Sequence, residues 1–165
     1  MITLTATSAG AAEPTLNPPR TINSRTCDVV SRVENLAGTE RRSWSRTETT
    51  YSLQASVLFA KDSSEISPRA KKKIDDLADE IVRNKPTKPV TIVGYTDNLG
   101  SADHGLKLSR QRASAVKAVL EENSALAQNT LTAKGLGEGD PIADNATEAG
   151  RQKNRRVEIV VPTPD

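Results

Sequence analysis

Apolar positions along the second half of the chain switch repeatedly between two periods. Ala70, Ile74, Leu77, Ala78, Ile81 and Val82 recur at the spacing of one helix face, behind a Ser67-Pro68 start signal and ahead of the Asn84-Lys85-Pro86 stop. Leu106 to Leu120 repeats the helical period, whereas Pro89 to Thr96 alternates, is rich in β-branched residues and reads as a strand. Thr130 to Lys134 and Val157 to Val161 are two further strands, and the short apolar run Val57-Leu58-Phe59 a buried one. Thr147 to Gly150 opens a short helical turn before the last strand. The order strand, helix, strand, helix, strand, helical turn, strand predicts an α/β sandwich with helices packed on a mixed four-stranded sheet.

The first third of the chain carries no such rhythm. Residues 1–26 are rich in Thr, Ser, Ala and Pro and read as a flexible leader. Residues 27–54 hold a β-like run at Val29, Val30 and Val33, a turn signal at Asn35-Leu36-Ala37-Gly38, and a Thr- and Ser-rich stretch from Arg41 to Leu53, which together predict a β-hairpin. The expected organisation is leader 1–26, hairpin 27–54 and folded domain 55–165.

Composition narrows the function classes. Only 2 % of the 165 residues are aromatic, so stacking on nucleic-acid bases has almost nothing to work with. A net charge of +2, with both signs interspersed, gives no general field for phosphate backbones or anionic membranes. Cys27 is the lone cysteine and His104 the lone histidine, which excludes an internal disulfide and a Cys/His zinc site and leaves no Cys–His nucleophile pair in prospect. No window has the ~18 apolar residues of a membrane span, and Met1 to Gly10 lacks the features of an export signal. The acidic pairs Asp75-Asp76 and Glu121-Glu122 belong to solvated helix faces, so the expected protein is not an enzyme and needs no cofactor.

One residue breaks the amphipathic pattern. At 100° per residue, Arg112 falls inside the apolar stripe of Leu108, Val116 and Val119, while Arg110 and Lys117 point to the opposite face. A guanidinium stays charged at neutral pH, so an inward Arg112 demands an anion. Asp97 follows directly on the second predicted strand, where ligands collect in open α/β sheets. Two readings fit: an Asp97–Arg112 salt bridge tying loop to helix, or a slot for a zwitterion, the carboxylate taking an ammonium and the guanidinium a carboxylate.

The segments Val57-Leu58-Phe59, Gly94-Tyr95-Thr96-Asp97-Asn98-Leu99-Gly100, Leu108-Ser109-Arg110-Gln111-Arg112-Ala113, Gly135 to Asn145, and Gly150-Arg151-Gln152-Lys153-Asn154-Arg155-Arg156-Val157-Glu158-Ile159 stand in one order and spacing. Taken together, residues 55 to about 162 resemble the OmpA-like peptidoglycan-binding domain. The resemblance implies a non-catalytic anchor, outside the cytoplasm in the bacterial envelope, that grips meso-diaminopimelate in the peptidoglycan stem peptide. It assigns the ammonium and carboxylate of that ligand to Asp97 and Arg112, with Thr96, Asn98, Asn154 and Arg155 as further contacts, and leaves open which of Arg155 and Arg156 faces the site. Where relatives usually carry a polar residue, this chain has Ala60 and Gly105, next to Asp62, Asp103 and His104. A structural or assembly module of the same fold that has lost ligand binding is the alternative.

Three further signals carry plain readings. Lys71-Lys72-Lys73 is a solvated helix face diluted by Asp75, Asp76, Asp79 and Glu80. Gly135-Leu136-Gly137-Glu138-Gly139 is a turn with no phosphate-loop Lys after it. His104 is an exposed loop residue.

Overall fold

The computed structural model describes residues 31–163 except 36, 46, 87, 124, 125, 127 and 128. The leader, Cys27, Val29 and Val30 lie outside the described residues. In chain order the elements are β1 (Ser31–Glu34), β2 (Glu40–Trp44), β3 (Glu48–Gln54), α1 (Ala55–Leu58), α2 (Pro68–Arg83), β4 (Val90–Tyr95), α3 (Ala102–Glu122), β5 (Leu131–Gly137), α4 (Glu148–Asn154) and β6 (Arg156–Pro162).

They form one sheet in the order β1-β2-β3-β6-β4-β5, antiparallel throughout except for the parallel β4–β5 pair that α3 connects. The expected helices on a mixed sheet are present, and the strands differ in three respects. Val57-Leu58-Phe59 is not a strand: Ala55–Leu58 makes a single helical turn with Leu58 fully buried. A short apolar run satisfies a buried strand and a buried helical turn equally well, and tertiary packing decides. The place beside β6 belongs to β3, paired over seven residues from Glu48↔Pro162 to Gln54↔Arg156. The segment read as a hairpin thus contributes the three strands β1 to β3 to the sheet, giving six among the described residues. The third predicted strand does not stop at Gly135 and runs on to Gly137.

The predicted helix signals act as read. Ser67 Oγ accepts the Ala70 N–H at 3.2 Å with Pro68 at the first helical position, and Ala70, Ile74, Ala78 and Ile81 are wholly buried. They meet Tyr51, Leu53, Ile92, Val157, Ile159 and Val161 from the sheet and Val116, Val119 and Leu120 from α3 in one core. α3 approaches the strands very closely because two glycines lie under it. A Cβ at Gly94 would stand 2.1 Å from Ser109 O, and one at Gly135 2.4 Å from Arg110 N. Ser109, itself fully buried, donates to Leu106 O at 2.8 Å and accepts the Gly137 N–H at 3.0 Å, pinning β5 to the helix.

Candidate functional site

Four segments converge at the carboxyl end of β4. Thr96 and Asp97 leave that strand, α3 brings Gly105 and Arg112, Phe59 follows α1, and Glu148 opens α4 with Arg155 at its end. Together they enclose a cavity of about 700 Å³. It opens where the sequence placed a site mouth.

Arg112 is 4 % exposed, in agreement with its inward position on the helical wheel. Its Nε donates to Ser63 O at 2.9 Å and its guanidinium lies 5.3 Å over the Phe59 ring. No carboxylate among the described residues reaches it within ion-pair distance. Burial pushes its pKa below the ordinary guanidinium value, with the Asp62 carboxylate opposing, yet Arg112 remains a cation at neutral pH. Arg112 thus lines the cavity without a direct carboxylate partner among the described residues, with Asp62 and Asp97 in the same lining.

Asp97 does not pair with Arg112. Its Oδ2 accepts from Arg155 Nη1 and its Oδ1 from the Leu99 N–H at 3.2 Å, an Asx turn that shapes the loop. Of the two readings of Asp97 and Arg112, the direct salt bridge is therefore absent. Arg155 in turn donates through Nη2 to Glu148 Oε1 at 2.5 Å. Burial works against the charge of Arg155, but the Glu148 and Asp97 carboxylates outweigh it and hold its pKa above the ordinary value.

Arg155 and Arg156 separate cleanly. Arg155 lines the cavity, whereas Arg156 is 2 % exposed, stacks 3.7 Å from the Tyr95 ring centroid and donates to Glu158 Oε1 at 2.7 Å. Arg155 is the C-cap of α4 and Arg156 the first residue of β6, so the two adjacent arginines belong to different elements and have different surroundings.

The other expected contacts are placed as follows. Thr96 lines the cavity, nearly buried, and its Oγ1 has no hydrogen-bond partner among the described residues. Asn98 is exposed on the loop. Asn154 is fully buried and is not part of the lining: its Oδ1 accepts from Ile142 N and Ala143 N, and its Nδ2 donates to Ala143 O and Asn145 Oδ1, all within 2.8–3.0 Å. It ties the loop before α4 onto the helix end.

Two features of the rim lay outside the expected contact set. Asp62, at φ 54, accepts or shares a 2.8 Å hydrogen bond with His104 Nε2 across the cavity mouth, and His104 holds the Asp62 carboxyl below its ordinary value. Glu148 is held by Arg151, through Nε at 3.0 Å and Nη2 at 2.9 Å, as well as by Arg155. A signal for Glu148 was present, because residues 148, 151 and 155 share one side of a helix.

This geometry presents both cationic and anionic side chains to one cavity, which can hold a ligand carrying an anionic and a cationic group. The OmpA family matches residues 58–155, more than half of the chain, and the chain belongs to that family. It is 41 % identical over 109 residues to outer membrane porin F of Pseudomonas fluorescens, covering 66 % of this chain and 33 % of the porin. It is 42 % identical over 105 residues to the peptidoglycan-binding protein ArfA of Mycobacterium tuberculosis, covering 64 % of this chain and 32 % of that protein. The chain therefore spans about a third of the length of these relatives. Among solved structures, the cell wall anchor of the T6SS from Pseudomonas aeruginosa superposes with a TM-score of 0.68 at 27 % identity, over 78 % of this chain and 90 % of that one. No helix among the described residues is long and apolar enough to cross a membrane.

Proposed function

We propose that the chain binds peptidoglycan non-covalently, outside the cytoplasm, and anchors an envelope protein to the cell wall by holding the diaminopimelate of the stem peptide. The observation that carries this reading is Arg112: a nearly buried guanidinium lining the cavity, bonded through Nε to the Ser63 carbonyl and ion-paired with no carboxylate among the described residues, although Asp62 and Asp97 line the same cavity. Leaving a buried cation without an anionic partner is costly, and a bound carboxylate offsets that cost with two charge-assisted hydrogen bonds. Asp97, with acceptor capacity left after Arg155 and the Leu99 amide, takes the ammonium of the same ligand. Thr96 and Arg155 complete the contact set, with Asn98 on the rim. The relatives named for peptidoglycan binding and cell wall anchoring support the wall as target.

Co-sedimentation with purified sacculi tests it. The wild-type chain pellets, and Asp97→Ala and Arg112→Ala each lower affinity by about tenfold or more, as expected for charge-assisted bonds worth ~1.5–3 kcal/mol. A wild-type chain that stays in solution would instead favour a structural module of the same fold. Calorimetry with two muropeptides refines the ligand: those with diaminopimelate bind more tightly than lysine-type ones, which lack the second carboxylate for Arg112.

A further inference from the structure

The guanidinium of Arg155 is divided between two acidic side chains. Nη1 donates to Asp97 Oδ2, and Nη2 donates to Glu148 Oε1 at 2.5 Å. A planar fork of this kind matches a single carboxylate with two parallel bonds, so a shared guanidinium is the less usual arrangement. What enforces it is the fixed position of Glu148 at the first turn of α4. Its other oxygen, Oε2, is clamped by Arg151, whose Nη1 donates in turn to Asn145 O at 2.8 Å.

The two acidic partners differ in their surroundings. The Asp97 side chain is 11 % exposed and that of Glu148 54 %. Charge on Asp97 is therefore poorly screened, and whatever Arg155 does there changes the attraction of the cavity for a cation far more than events at Glu148 do. With both Nη groups on Asp97, Arg155 would neutralise it and occupy two of its acceptor positions. With one held back, Asp97 keeps a net attraction and free lone pairs toward the cavity.

We propose that Glu148 is a positioning residue for ammonium recognition: by holding one terminal nitrogen of Arg155, it prevents that guanidinium from capping Asp97 and keeps the carboxylate open to the cationic end of the ligand. This inference rests on the peptidoglycan reading above and adds to it a residue that acts through another. It accounts for Glu148 lining the cavity while both of its carboxylate oxygens are bonded to arginines.

The test is a double-mutant cycle by titration calorimetry on the full chain, with a diaminopimelate-containing muropeptide and the same muropeptide acetylated on the side-chain amine. Glu148→Gln keeps the size and an acceptor oxygen but removes the charge. It lowers affinity for the free-amine ligand three- to tenfold in the wild-type background and less than twofold in the Arg155→Gln background. Binding of the acetylated ligand changes less than twofold in either. Thermal melts of each variant establish that the fold persists at the assay temperature. Wild-type binding with Glu148→Gln unchanged, or an equal loss in both backgrounds, overturns the role of Glu148 alone. A wild-type chain that binds neither ligand overturns the peptidoglycan reading and this inference with it.

Discussion

Thr96 turns its hydroxyl toward Gly105: a Cβ at position 105 would stand 2.9 Å from Thr96 Oγ1, and that oxygen has no hydrogen-bond partner among the described residues. Both residues line the cavity. An unpaired buried hydroxyl costs ~1–3 kcal/mol, and the cost is borne at the residue that precedes Asp97. Strain or unsatisfied polarity of this kind collects where a ligand will be met.

Thr96→Val preserves the shape and removes the orphan oxygen. We expect the urea midpoint to rise by an amount equivalent to about 1 kcal/mol with the denaturant slope unchanged, and sacculus binding to weaken. A variant that is less stable than wild type would show that the hydroxyl has a partner in solution.

The close approach of α3 to the sheet gives a second expectation. Gly94→Ala would put a methyl group 2.1 Å from Ser109 O, so helix and strand must separate, and we expect a loss of at least ~3 kcal/mol or failure to fold. Gly38→Ala is the control: its φ is +65 but nothing lies within 4 Å, and only backbone strain of about 1 kcal/mol applies. Chemical denaturation of both variants separates crowding from strain.

Much of this architecture is legible in the chain because its determinants are local. Ser67-Pro68 starts α2 through one side-chain bond and one fixed dihedral, and Arg112 reveals its inward position through helical periodicity alone. What cannot be read this way depends on distant partners. Asp97 meets Arg155 across 58 positions, and the choice of Arg155 over Arg112 follows from how β4 and β6 register in the sheet. The run at Val57 was ambiguous for the same reason, since β3 takes the place beside β6 that this segment would have filled. Asn154, within the motif that suggested a ligand contact, spends its four polar bonds inside the protein.

Asn154→Ala therefore separates two roles. Removing the side chain leaves the Ile142 and Ala143 amides and the Ala143 carbonyl without their partner, so we expect destabilisation of ~2–4 kcal/mol and faster amide exchange at 142 and 143. Affinity measured well below the melting temperature should fall less than for Arg112→Ala. Unchanged stability with lost binding would place Asn154 in contact with the ligand instead.

Acid should weaken the rim in a defined direction. Hydrogen bonds from Arg155 and Arg151 hold the Glu148 carboxyl below its ordinary value, and His104 does the same for Asp62. A carboxyl with a lowered folded-state pKa stabilises the fold above its unfolded value, near ~4, and that contribution disappears as pH falls through the lower folded value. These two groups should thus leave the melting temperature flat from pH 7 to about 5 and add to its decline below about 4. Glu148→Gln should make that decline shallower. An unaltered acid limb would show that the Glu148 pairs carry no net stability.

Removing residues 1–47 tests how far the strands before β3 serve the site. Every described residue lining the cavity lies at or beyond Ala55, so sacculus binding should stay within a few-fold of wild type. Stability should fall, because β2 pairs with β3 over five residues, Arg42 stacks 5.2 Å from the Tyr51 ring, and Arg42 and Lys73 make ion pairs with Glu80 and Glu40 between the strands and α2. Tyr51 and Leu53 are buried at 4 % and 6 % exposure, and uncovering part of each costs about 2 kcal/mol, equivalent to a melting temperature lower by roughly 8 °C. Thermal melts beside a pelleting assay decide the matter. A shortened chain that melts earlier yet still pellets assigns β1 and β2 to the support of β3; one that keeps its melting temperature but no longer pellets makes those strands part of the wall-binding surface.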